Sequence, residues 1–138
     1  MEGLGVAASV IAVVDISAKV ISLCSQYAKD VKNAKSDIDR LAREITNLQT
    51  ALEIVSRLLI TYRELESSQQ LAAGVKDSRS RLEDLHNKLE PRKGDRAMSR
   101  IGLRALKWPF QSRDVNQIVE ELVRCSQAIS LALQVDQM

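Results

Sequence analysis

Ring side chains are nearly missing from this chain of 138 residues: one Trp, one Phe and two Tyr, 3% in all. With so few rings, and no segment that alternates apolar and polar with period two, a sheet core is excluded. What remains is Leu, Ile, Val and Ala packed on long helices. Two Pro and five Gly leave few places to turn. The single His, His86, sits among Leu82, Leu85 and Leu89 with charged neighbours, and no Cys, His or carboxylate set around it has metal-ligand spacing. There is no Gly-rich phosphate loop and no spaced Ser, His and Asp set. Glu120 and Glu121, like Asp37 and Asp39, read as carboxylates on helix surfaces. The expectation is therefore a non-enzyme with no catalytic residue, metal, cofactor or small-molecule substrate. Cys24 and Cys125 both lie in apolar helical patterns far apart in sequence, which predicts two reduced core thiols rather than a disulfide.

Hydrophobic residues make up 45% and charged residues 28%, enough to bury one sizeable core and too apolar for a disordered chain. Three segments carry a countable helical rhythm. In the first of these, Val31, Ala34, Ile38, Leu41, Ile45, Leu48, Leu52, Val55, Leu59 and Tyr62 follow steps of three and four, widened by Ala51, Ile54 and Leu58. Ser36, with Asp39 three residues on, is a candidate cap, although the apolar phase starts nearer Asn33. The next runs Leu71, Val75, Ser78, Leu82, Leu85 and Leu89, weakened early by Gly74 and stopped by Pro91. The last runs Val115, Ile118, Leu122, Cys125, Ile129 and Ala132, with Ser112 or Asp114 as its cap. Short turns between long amphipathic helices predict antiparallel neighbours. The expected fold is all-α: one domain over 1–138, an up-and-down bundle of four long helices plus a short helix before the last one. Their ranges are about 4–29, 33–66, 69–89, 96–107 and 113–135.

The opening segment differs from the rest. From Leu4 to Cys24 only Asp15 and Lys19 are charged, four apart with the acid first, the orientation that pairs them on a helix. Ser22 and Gln26 continue that polar line. The first half, "LGVAASVIAVV", is apolar on every side and must be covered by protein or lipid. As a helix, Leu4 to Cys24 spans about 30 Å, close to a bilayer core. A secretory signal fits poorly, because Glu2 stands where a basic region is needed. Two readings stay open: a buried bundle helix, or a segment held for a membrane. The second would place Leu4, Val6, Val10, Ile11, Val13, Val14, Ile16, Val20 and Leu23 in lipid.

Charge is near balance, +2 overall, except between the third and last long helices. There Arg92, Lys93, Arg96, Arg100, Arg104, Lys107 and Arg113 face only Glu90 and Asp95. Wound as a helix, Arg96, Arg100, Arg104 and Lys107 share one face, opposite Met98, Ile101 and Ala105; Trp108 and Phe110 follow, split by Pro109. The segment reads as a solvated face whose rings plug the bundle, or as a docking surface for anionic lipid headgroups through Arg92, Lys93, Arg96, Arg100, Arg104 and Lys107. Nucleic acid is not expected as a partner, because the basic residues are confined to one segment and no recognition motif accompanies them.

The opening "MEGLGVAASVIAVVDISAKVISLC" and the late "LRALKWPFQSRDVNQIVEELVRCSQAISLAL" resemble the two ends of the fungal HeLo-like N-terminal domain, in the same order across essentially the whole chain. "LKWPF" at Leu106 to Phe110 is the more specific half. The resemblance implies an N-terminal effector domain of NLR-type signalling proteins, similar in architecture to the four-helix domain of the mixed lineage kinase-like pseudokinase. It implies a cytoplasmic bundle that self-associates with the help of the C-terminal domains of a larger receptor, moves to the plasma membrane and executes cell death. The helix credited there with membrane activity maps onto Leu4 to Leu23. A non-lytic adaptor, signalling through the charged faces of the second and third helices, is the alternative.

Overall fold

The steps of three and four in the sequence become four helices, α1 (Gly5–Asp30), α2 (Lys35–Thr61), α3 (Gln69–Leu89) and α4 (Ser112–Asp136). The structure is a computed structural model describing residues 5–31, 33–62, 65, 68–90 and 107–136. The four elements are all α-helices, with no strand among the described residues. The short helix expected over 96–107 falls almost wholly outside them; Lys107 alone is described, as an exposed residue without regular structure.

Each seam becomes a buried face. Ile38, Leu41, Ile45, Leu48, Leu52, Val55 and Leu59 of α2 are buried, as are Leu71, Val75, Leu82, Leu85 and Leu89 of α3. On α4 the buried set is Val115, Leu122, Cys125, Ile129 and Ala132, with Ile118 partly covered. Each fully buried Leu, Ile or Val contributes ~1.5–3 kcal/mol, so these faces supply the main drive for folding. Ser78 fits within the seam because its Oγ donates to the Gly74 carbonyl one turn back at 2.8 Å.

Pairwise contacts fix the directions. Gln49 of α2 reaches the Val14 carbonyl of α1, so the two helices, joined by a short connection with a turn at Asn33 and Ala34, are antiparallel. Arg81 meets Glu121, and Cys125 meets Asp77, which makes α3 and α4 antiparallel. Ser112 donates to Asp37 and Arg40 to Asn116, so α2 and α4 run parallel. The chain thus goes up, down, up, down, but its neighbours are not all consecutive. Helix α1 packs on α2 and α3, and α4 packs on the same two, leaving α2 and α3 across a diagonal. This departs from the expectation that a short connection makes antiparallel neighbours. Residues 62–68 between them reach about 23 Å when extended, more than the ~14 Å diagonal of helices packed about 10 Å apart. Leu65, fully buried on that crossing, closes the core at this end.

The helix ends show how local chemistry settled the boundaries. α2 is shorter than 33–66: Tyr62 leaves the helical conformation (φ −117, ψ 88) and is 42% exposed, so the seam outlasts the helix. Its first turn follows Ala34, which offers no side-chain cap, and Ser36 lies exposed inside the helix. Ser68 caps α3, accepting the Leu71 N–H at 3.1 Å. At α4 the Asp114 carboxylate accepts the Gln111 N–H at 2.9 Å, while Ser112 is spent on Asp37 at 2.7 Å. At the end opposite Leu65, Tyr27, Trp108 and Phe110 stack edge to face with centroids 5.4 and 5.3 Å apart.

Candidate functional site: the corner helix α1

Among the described residues α1 is the one helix long and apolar enough to cross a membrane. A buried core helix meets the same criterion, so burial discriminates between the two. Only 33% of its most apolar 18-residue stretch is buried. The cause is its corner position: α1 packs on α2 and α3 and turns a third side outward. Two lines of residues run along it on opposite sides. Val6, Val10, Val13, Ser17, Val20, Cys24 and Tyr27 are buried, at steps of four and three. Ala8, Asp15, Lys19, Ser22 and Gln26 are exposed, with Ala12 half-buried between them.

The residues expected to meet lipid therefore divide. Val6, Val10, Val13, Val20 and Leu23 lie in the core, Val14 and Ile16 pack partly against it, and Ile11 is 66% exposed. Leu4 lies outside the described residues, as do Arg92, Lys93, Arg96, Arg100 and Arg104 of the basic stripe; Lys107 is exposed. Asp15 and Lys19 form the expected pair at 3.6 Å, with side chains 71% and 61% exposed. A pair so open contributes little to stability. Four further apolar side chains are exposed that the seam pattern did not single out as open: Ile54, Ile60, Tyr62 and Leu131. All four, with Ile11, fall in the half of the bundle that holds the start of α1. Ile60 offered one signal, being a single step off the seam next to Leu59.

Polar ties from α1 to its neighbours are sparse among the described residues. Ser17 Oγ–H donates to Val14 of its own helix at 2.7 Å. Between described residues, the hydrogen bonds reaching other helices are Gln49 to the Val14 carbonyl, long at 3.4 Å, and Tyr27 Oη–H to the Leu89 carbonyl at 2.7 Å. Among the described residues, α1 is thus held by apolar contact along its length and by a short hydrogen bond near its end. Burial pushes the Cys24 thiol up to about 12 and the Cys125 thiol up to about 11, Asp77 adding to the latter, so both are neutral at physiological pH.

Elsewhere a groove of about 450 Å³ runs between α3 and α4, but its charges satisfy one another: Arg81 with Asp77 and Glu121, Lys88 with Asp84. His86 lies 3.3 Å from Glu90 on the surface of α3. Among the described residues no group of three or more His, Cys, Asp or Glu is placed to hold a metal ion.

Fold and site together define an all-helical bundle with a bilayer-length apolar helix at one corner. The chain belongs to the family described as pigment biosynthesis cluster protein PigL N-terminal, whose profile matches residues 1–138. No curated protein and no solved structure matches it.

Proposed function

We propose that this chain is a HeLo-like, membrane-targeting cell-death effector of the incompatibility or immune kind, cytoplasmic at rest, that permeabilises the plasma membrane after oligomerisation and has no enzymatic activity. The observation that carries this reading is the placing of α1: the most apolar helix stands at a corner, only a third of its greasiest stretch is fully buried, and Ile11 on it is open to water. A helix locked at the centre of the bundle would have ruled it out.

The energetics say how release must occur. Moving Val6, Val10, Val13, Val20 and Leu23 from the core into water would cost on the order of 10 kcal/mol, comparable to the whole stability of a domain. Into lipid the same side chains move without that penalty, so detachment is coupled to a membrane. The apolar faces left on α2 and α3 then need a new cover, which favours self-association. On this reading Arg92, Lys93, Arg96, Arg100, Arg104 and Lys107 hold anionic headgroups, each contributing ~1 kcal/mol. Domains C-terminal to this one in a larger receptor would supply the trigger.

Release of dye from phosphatidylcholine–phosphatidylserine vesicles tests the reading. Ile11→Asp leaves the bundle intact, because the site is exposed, yet adds ~2.5–3.5 kcal/mol to insertion near mid-bilayer. Leakage should fall about a hundredfold; unchanged leakage would remove the insertion claim. Replacing Arg96, Arg100 and Arg104 by Glu should abolish vesicle binding, and binding that persists would retire the basic stripe. Oligomers in light scattering without any vesicle binding would favour the adaptor instead.

A further inference from the structure

Helix α1 carries two seams of the same spacing on opposite sides, and the resting bundle uses only one. The used seam is Val6, Val10, Val13, Ser17, Val20, Cys24 and Tyr27. The open one, at steps of four and three, is Ala8, Ala12, Asp15, Lys19, Ser22 and Gln26. Such spacing lets a line of side chains face a partner helix along its whole length. Its chemistry also limits the partner. Asp15 and Lys19 stand near the middle of the apolar span, where hydrocarbon excludes a charge unless it meets a partner or water. Their own pairing at 3.6 Å would lower that cost without removing it, so the open seam is disfavoured against lipid. It is self-complementary: acid and base one turn apart on one helix can each meet the opposite charge on the next, beside small residues that permit close approach.

Resting on the function proposed above, we infer that the occupant of the open seam is α1 of further copies of this chain: in the membrane the seams face one another around a water-filled path, Asp15 of one copy beside Lys19 of the next. The core seam turns outward to the lipid tails. The polar line that is wet in the soluble bundle is wet in the membrane and the side that is dry stays dry, while Ile11, on the flank of the open seam, passes from water to lipid. A path lined by equal numbers of Asp15 and Lys19 discriminates little between cations and anions.

Planar phosphatidylcholine–phosphatidylserine bilayers under a potassium chloride gradient test this with the full chain. Wild type should show a potassium-to-chloride permeability ratio near one. Asp15→Asn leaves Lys19 unopposed and should favour chloride; Lys19→Gln leaves Asp15 unopposed and should favour potassium. Each shift should be about fivefold, the Boltzmann factor for a unit charge about 4 Å from an ion in water, and rings of like charge add to it. Exchange of the two, D15K with K19D, should restore a ratio near one. Both sites are exposed, so all variants should melt with the wild type. Conductance with the wild-type ratio in both single variants overturns the lining while leaving permeabilisation intact. So does a loss of conductance in all three variants. Bilayers that stay tight to the wild type overturn this inference together with the function it rests on.

Discussion

Removing a single oxygen from Tyr27 should loosen α1 by a measurable amount. The phenol donates to the carbonyl of Leu89, the last residue of α3, at 2.7 Å in a buried setting. That carbonyl has no partner within its own helix, as at every helix C-terminus. Tyr27→Phe removes the donor and keeps the ring, including its edge contact with Trp108. Leaving a buried acceptor unsatisfied costs ~1–3 kcal/mol, so about 2 kcal/mol is expected. For a domain of this length the entropy of unfolding is about 0.3 kcal/mol per degree, which converts the loss to a fall in Tm of about 7 °C. The same 2 kcal/mol raises the population with α1 detached about thirtyfold where detachment breaks this bond. Thermal melting followed by circular dichroism gives the first number, and vesicle leakage at fixed protein-to-lipid ratio tests the second. Tyr27→Leu, which also gives up the ring, should lose ~3–5 kcal/mol. A Tyr27→Phe protein that melts with the wild type and leaks no faster would refute the reasoning.

Other predictions follow from the same packing. A Cβ on Gly74 would lie 3.2 Å from Cγ1 of Ile129 and 3.8 Å from its backbone nitrogen. Gly74→Ala should be near neutral, the ~1 kcal/mol gain in helix propensity offset by the tight contact, whereas Gly74→Val should lose ~1–3 kcal/mol in urea unfolding. Ser68→Ala removes the cap of α3 and should cost about 1 kcal/mol by the same measurement. The two thiols keep their protons in the folded state well above the ordinary value of 9.0, up to about 11 and 12. The unfolded chain therefore loses those protons first as pH rises past 9, and stability should fall from there toward pH 11, as pH-dependent urea midpoints will show. Neither Cys24 nor Cys125 should react with a maleimide in the resting bundle, and labelling of Cys24 as fast as that of the unfolded chain would disprove its burial.

Most of the fold could be read from spacing. Steps of three and four place Ile38 through Leu59, Leu71 through Leu89 and the Val115 seam in the core, and the structure buries them except Ile118, which is partly covered. The diagonal passage from α2 to α3 could not be read, because periodicity states which face is buried but not which helix covers it. Nor could the break at Tyr62, where the apolar rhythm continues past the helix and Leu65 takes the buried place. For the site, spacing gave the Asp15–Lys19 pair and the apolar run. It did not separate Val10 and Val13, at the core, from Ile11, in water, because a segment apolar on every side has no phase. Only the corner position of α1 supplies one.

The alternation of directions has a consequence for clustering. Helices α1 and α4 stand at opposite corners and run oppositely, so the beginning of the first and the finish of the last share one pole of the bundle, the pole that also bears Ile60, Tyr62 and Leu131. Whatever draws several molecules together by their trailing ends brings their greasy leading tips side by side, aimed the same way, before any helix has moved.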